Sequence, residues 1–385
     1  MKNVLVTDTK YRMSLSPIWE LAGKGYAITA VDYEDVPANE RLGFYSRFVS
    51  GRELLNDETF CQQIEKIAKE NRPVLLPGNR RSLEHMIDNK DVLTSCCDFL
   101  IPDRQSLEMA DDKRAMYRVA QKIGVPVPCT TSLSEHESVS DMADGVRYPC
   151  IIKYRNGEVL GKKPADRYAI AHDRDTFIRT YERMQAIDPN PIASDYIEGH
   201  DLGVAVVMSH DHELVDFLCY ESLREYPIEG GPTCFLKTIY SKKLLEYSVH
   251  LLKEIQFTGI AMLDFKGTPE DPYFLEINPR LWGSAAITYV SRSSFFESYV
   301  KAAQDIAEPM HTEGATPQYV LGRKMRFTPQ AVACFAAHMK HSSHTQQILL
   351  QYIKSLLDPT VRDGLFTLRD PMPYVKYIQN LIRRR

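Results

Sequence analysis

The chain has 385 residues, 44% of them hydrophobic and 25% charged, with a formal net charge of −4. That length and balance describe a globular protein of two or three domains. No apolar run approaches the ~20 residues of a membrane span, and the mild acidity argues against a nucleic-acid partner.

Residues 4–7 form an apolar run and predict a first strand, not a leader peptide. Residues 17–22 read as helix, stopped by Gly23 and Gly25. A second strand is expected at 26–31, a helix at 58–70, a third strand at 73–77 and a short one at 99–101. Strand–helix alternation predicts a parallel sheet with helices on both faces. The loops at its carboxyl ends, here 7–12 and 77–81, are the usual ligand sites of such sheets. No GxGxxG follows the first strand, so a dinucleotide site is not expected.

A second unit begins near Ser106. Asp111 and Asp112 predict the cap of a helix running to about residue 123, where Gly124 and Pro126 stop it. Strands are expected at 148–154, 192–196, 203–208 and 215–220, helices at 174–185 and 242–256, then strands at 259–265 and 273–278. Beyond Trp282 the pattern is mostly helical. Residues 311–385 carry 11 Lys/Arg against 4 Asp/Glu and end in LIRRR. The basic end reads as a helix terminus whose cations suit the helix dipole, with weak contact to an anionic surface as the alternative. Eight cysteines without a CxxC pair are expected to be reduced thiols in the cytoplasm.

The segment GIAMLDFKGTPEDPYFLEINPR, residues 259–280, carries the sharpest chemistry. Two strand-like runs flank a loop centred near Glu270, so Asp264 and Glu276 should pair across a hairpin. Strand alternation puts Asp264, Glu276, Asn278 and Arg280 on one face. Directly opposed carboxylates repel. Either one takes up a proton, or a cation sits between them. A hard divalent cation fits: Mg²⁺ where phosphates supply further ligands, with Mn²⁺ as the alternative. Arg280 adds a fork that suits a carboxylate or phosphoryl oxygen.

Lys153 closes the run YPCIIK, and Lys113 stands in the first turn of its helix. With the order DK, YPCIIK, YIEGHD and LDF…FLEINPR, residues 106–289 resemble the ATP-grasp superfamily. The segment LREYPIEGGPT and the final NPRLWGS resemble its predicted carboxylate–amine ligases and carboligases, a group similar to carbamoyl-phosphate synthases. The resemblance implies an α/β protein in three parts. A pre-ATP-grasp parallel-sheet domain (1–105) would precede a two-lobed ATP-grasp fold (106–310, lobes 106–193 and 194–310). A small basic helical region (311–385) would follow.

The resemblance also implies roles. Lys113 and Lys153 would contact phosphates of ATP. Ser194, Asp195, Tyr196 and Ile197 would form the adenine hinge, and Asp201 would meet the ribose. Asp264, Glu276 and Asn278 would hold Mg²⁺, while Arg280 and Lys153 would act in catalysis. The loop 154–163 would cover the phosphates with only two glycines, leaving Lys162 and Lys163 as sources of charge. Arg224, Gly230, Gly231 and Thr233 would bind the acceptor, since closely spaced glycines let backbone N–H groups approach an anion. The expected reaction joins a small carboxylate to an amine with release of ADP and phosphate. A bicarbonate-using enzyme and a non-catalytic ATP-binding protein are the rivals. Substrate identity and oligomeric state are not legible in the sequence.

Overall fold

The computed structural model describes residues 3–69, 72–134, 137–154, 160, 162, 166–226, 231–341 and 345–383. Gly230, Lys163, Arg384 and Arg385, and residues 155–159 and 161 of the glycine-poor loop, lie outside the described residues.

The first unit is a parallel sheet of β1 (Asn3–Val6), β2 (Ala27–Tyr33), β3 (Gly51–Leu55) and β4 (Val74–Leu76), in the order β3-β2-β1-β4. Val4, Leu5 and Val6 are fully buried, as a central parallel strand between helices must be. The helix Leu15–Gly23 is closed by Gly25 at φ +86°. β3 escaped the sequence pattern because it is an edge strand whose Arg52 and Glu53 face water. The strand expected at 99–101 shrinks to one parallel bridge, Val74 to Asp98. Pro102 lacks a ladder donor, and Asp103 already caps the next helix by accepting from the Ser106 N–H at 2.7 Å.

The next unit is a small antiparallel sheet of β5 (Thr130–Ser132), β6 (Cys150–Lys153), β7 (Tyr168–Ala171) and β8 (Ile192–Asp195), in the order β5-β8-β6-β7. Helices Val139–Gly145 and Arg174–Gln185 close an apolar cluster of their own on it, around Met142, Ile152, Phe177 and Tyr181. β8 belongs to this sheet through Asp195.

The largest sheet contains β9 (His200–Met208), β10 (Leu214–Glu225), β11 (Thr233–Ile239), β12 (Gly259–Gly267), β13 (Pro272–Asn278), β14 (Lys324–Arg326) and β15 (Val361–Asp363), in the order β13-β12-β9-β10-β11-β14-β15. The basic C-terminal region is thus more than a helical appendage. It carries helices Thr328–His341, Thr345–Leu357 and Met372–Arg383, and it also extends the main sheet by two strands. Asp370, nearly inaccessible, accepts from Trp19 Nε1 at 2.8 Å, Ser46 Oγ at 2.6 Å and the Arg47 N–H at 3.0 Å. One continuous core runs from Val4 and Trp19 through Phe265 and Phe295 to Met325 and Leu365. Among the described residues no helix is long and apolar enough to cross a membrane.

Candidate active site

β12 and β13 form the expected hairpin, with Asp264 opposite Glu276 and Met262 opposite Asn278. A register shift after Asp264 leaves Leu275 as the extra residue of a bulge. Asn278 Nδ2 donates to Asp264 Oδ2 at 2.9 Å. Burial pushes the Asp264 carboxyl well above its ordinary range, and Glu276 and Asp201 add to the push against Lys113 and Asn278. Glu276 goes the other way. Burial raises it, but its ion pair with Lys113, the charge of Lys153 and a hydrogen bond with Asn278 together hold it below the usual carboxylate value.

Two opposed carboxylates that titrate in opposite directions describe a pair competing for one positive charge. The donor set fits a divalent cation, with oxygens from Asp264, Glu276 and, once its amide is turned over, Asn278. Among the described residues no group of three His, Cys, Asp or Glu side chains has metal-site geometry. These residues would therefore hold such an ion together with ligand oxygens, which is the usual situation for Mg²⁺ at phosphates.

Both lysines reach this hairpin. Lys113 opens the helix Lys113–Lys122, and Asp112 caps it by accepting from the Arg114 and Ala115 N–H groups at 2.9 and 3.1 Å. Asp111 ends the preceding helix instead and pairs with Arg80. Lys153 comes from the other lobe, at the end of β6. Burial holds its ammonium down to about 8, assisted by Lys113 and opposed by Glu276 and Asp201. The cleft stays open: the Lys113 and Glu276 side chains keep 39% and 34% of their surface accessible.

The structure adds two residues that sequence reading missed. Lys266 stands in register with Asp201 of β9, its Nζ 2.7 Å from Asp201 Oδ1. Asp201, expected at a ribose, is thus held by a lysine of the carboxylate hairpin. A lysine two positions beyond Asp264 was visible as a same-face neighbour. Tyr220 carried no such signal inside an apolar strand. Its ring lies over Gly203, where an added Cβ would stand 2.1 Å from Cζ, and its hydroxyl meets Met262 Sδ at 3.6 Å. Asp264, Gly203 and Tyr220 form one row across three strands.

The remaining expected residues divide. Ser194 lies inside β8, its buried Oγ 3.0 Å from Thr130 Oγ1, so its side chain serves the small sheet. The Asp195 N–H donates to the Cys129 carbonyl at 2.9 Å. Tyr196 and Ile197 follow in the connection to β9, and Tyr196 is close enough to act on Lys266. Gly199, at φ +119°, ends that connection where an added Cβ would lie 2.5 Å from the Gly267 carbonyl oxygen. Arg280 directs Nη1 to the Leu281 carbonyl at 3.1 Å. Arg224 stands over the Phe235 ring at 5.4 Å, and Thr233 Oγ1 donates to Ser222 Oγ at 3.1 Å, with Gly231 buried nearby in sequence. Glu225, next to Arg224, acts on Lys266, so the end of β10 borders the lysine–carboxylate cluster.

Residues 110–284 match a family model described as an ATP-grasp domain. The carbamoyl phosphate synthase large chain of Thermotoga neapolitana is 27% identical over 198 residues, covering 49% of this chain and 17% of that protein. The corresponding Clostridium beijerinckii protein is 22% identical over 252 residues, covering 63% of this chain and 22% of its own length. The chain therefore spans about a fifth of these curated relatives. Among solved structures, a Campylobacter jejuni biotin carboxylase described as a β-γ-ATP complex gives a TM-score of 0.61 at 17% identity, over 84% of this chain and 74% of that one. An L-amino acid ligase from Bacillus licheniformis gives 0.54 at 13% identity, over 84% and 78%. At such identities the structural likeness establishes a shared fold.

Proposed function

Residues 110–284 form an ATP-grasp domain, and from that premise we propose that the chain is an ADP-forming ligase, activating a carboxylate as an acyl phosphate and joining it to an amine. The observation that carries the reading is Asp264 paired with Glu276 beneath two lysines from different lobes.

In the first step a substrate carboxylate oxygen attacks the γ-phosphorus of ATP. The new O–P bond forms as the bond to the β-bridging oxygen breaks, and ADP leaves. In the second step the amine nitrogen attacks the acyl carbon, the phosphate departs, and the nitrogen loses a proton. Phosphoryl transfer of this kind depends on positioning and charge neutralisation. Lys113 and Lys153 would hold the phosphates, and Arg280 would face the group in transit. Tyr196 and Ile197 would offer backbone groups to the adenine, with Asp195 leading into them and the Ser194 side chain kept in the sheet. Asp201 would reach the ribose by exchanging its bond to Lys266. Asp264, Glu276 and Asn278 would hold Mg²⁺, or Mn²⁺ in its place, which neutralises phosphate charge when bound. Arg224, Gly231 and Thr233, with Gly230 beside them in sequence, are the proposed acceptor residues.

Hydroxylamine supplied in place of the amine is expected to yield a hydroxamate together with ADP. Release of AMP and pyrophosphate contradicts the reading. Glu276→Gln is expected to lower Mg²⁺-dependent ADP release by at least about a hundredfold while the melting temperature holds; unchanged turnover removes the metal assignment. The match to carbamoyl phosphate synthase large chains favours one second reading, a bicarbonate-using enzyme. ADP release with bicarbonate and no organic carboxylate would select it.

A further inference from the structure

Arg12 ends the loop 7–12 after β1 and opens a short 3₁₀ turn, and no role above is assigned to it. Its guanidinium carbon sits 3.7 Å from the centre of the Phe327 ring, and the Tyr377 hydroxyl hydrogen-bonds it. Both partners come from the C-terminal region, so the first loop of the chain reaches across to the last helices. Burial draws the guanidinium below its ordinary value, with Tyr377, Asp363 and Cys234 opposing.

The acidic side chain that acts on it, Asp363, makes no ion pair with it. Asp363 is already filled: Oδ2 accepts from the Thr328 N–H at 3.0 Å and from the Thr328 hydroxyl, and Oδ1 accepts from the Leu365 and Phe366 N–H groups at 2.7 Å each. Among the described residues, no carboxylate forms an ion pair with Arg12. A partly buried guanidinium held by a ring and a hydroxyl, with Asp363 acting on it only through space and no ion pair among the described residues, is costly to keep in a fold. Its forked donors suit a carboxylate or phosphate in two-pronged fashion.

The direction in which Arg12 points gives the cost a purpose. An added Cβ on Gly283 would meet one neighbour only, Arg12 Nη2 at 3.8 Å, and Gly283 itself is exposed. The next residue, Ser284, hydrogen-bonds Tyr220, which lies in the row carrying Asp264. A row of neighbours therefore leads from the carboxylate hairpin through Tyr220 and Ser284 to Gly283, where a side chain added at the glycine would meet Arg12.

We propose that Arg12 is a specificity residue that binds an anionic group of the substrate, a carboxylate or a phosphate separate from the reacting carboxyl, at the Gly283 end of the cleft. The proposal rests on the ligase reading and names a substrate class for it: molecules with a second anionic end. Glycine at position 283 leaves room for that group, and Phe327 and Tyr377 fix the guanidinium plane that meets it.

The test is isothermal titration of the full chain with succinate and, separately, with inorganic phosphate, each in the presence of MgADP. The wild-type chain should bind one of the two, and which one tells a carboxylate from a phosphorylated substrate. Arg12→Gln and Gly283→Asp should each weaken that anion at least tenfold. The first removes the charge, and the second supplies an internal carboxylate in the same place. Arg12→Lys should recover part of the affinity, and MgATP affinity should stay within twofold throughout. Equal anion affinity in all four proteins, or none in the wild type, overturns the proposal while leaving the ligase reading standing. Failure of the wild-type chain to bind MgATP overturns the ligase reading itself.

Discussion

Lys153 allows the proposed nucleotide site to be tested through pH alone. Its ammonium is held at about 8, first by burial and then by Lys113. A lysine so depressed is charged below that value and neutral above it. If the phosphates require the charged form, affinity for MgATP is highest on the acid side. It falls by the factor that describes loss of the ammonium, about tenfold between about pH 7 and about pH 9. Lys153→Arg keeps its charge across this range and should give a flat profile, whatever its absolute affinity. Lys113→Met removes the second cause of the depression and frees Glu276 to face Lys153. A like charge at ~6 Å and an effective dielectric of ~20 is worth ~3 kcal/mol. The open cleft reduces that by roughly half, so the midpoint should rise by about one pH unit. The assay is a fluorescence titration with an ATP analogue at constant ionic strength and saturating Mg²⁺. A flat wild-type profile, or a midpoint that moves down in Lys113→Met, refutes the placement of Lys153 on the phosphates.

Asp264 carries a raised pKa, so its contribution to stability is present when it is protonated and is lost as pH rises through its folded-state value. Asp264→Asn should therefore make the Mg²⁺-free protein more stable at pH 8 than the wild type, by roughly 1 kcal/mol or more, while abolishing Mg²⁺-dependent ADP release; an equal or lower melting temperature at pH 8 counts against the crowded-carboxylate account. Asp370→Ala strands three donors, from Trp19, Ser46 and Arg47. It should cost about 3 kcal/mol or more in urea unfolding, and a loss within a few tenths would show that the C-terminal region is not tied in as described. Gly203→Ala drives a methyl into the Tyr220 ring. About 1–3 kcal/mol of stability should go with it, together with a fall in turnover, read by melting and ADP release on the same preparation.

What the sequence made legible was whatever obeys a short period. The pairing of Asp264 with Glu276 followed from strand alternation and the position of the loop, and the bulge at Leu275 falls beyond that pair, so it leaves the pair undisturbed. Lys113 at a helix start and Lys153 at a strand end were equally local signals. Three features were not legible, each because its cause is distant in the chain. β3 forms because a polar edge is tolerated beside β2. β14 becomes a strand because β11 offers it a free edge, and β15 because β14 then offers the next, although their three-residue lengths carry no periodicity. The hydroxyl of Ser194, expected in a hinge that acts mainly through backbone groups, is committed to the sheet by Thr130, a partner 64 residues away that no local pattern announces.

The division of the core explains why the two lysines differ so much electrically. The small sheet closes its own apolar cluster, separate from the core that unites the first sheet, the large sheet and the C-terminal strands. Lys113 and the carboxylates belong to the large body, where Lys113 has a fixed counter-ion in Glu276. Lys153 rides on the small sheet and meets that cluster from outside, with another lysine as its largest electrostatic influence after burial. The protein alone therefore leaves the junction of its two lobes short of negative charge on one side and crowded with carboxylates on the other. On the proposed function, a polyphosphate bound with a divalent cation would correct both imbalances at once, the anion meeting Lys153 and the cation meeting Asp264. Gly199 packed on Gly267 keeps the connection from the small sheet to β9 beside the hairpin.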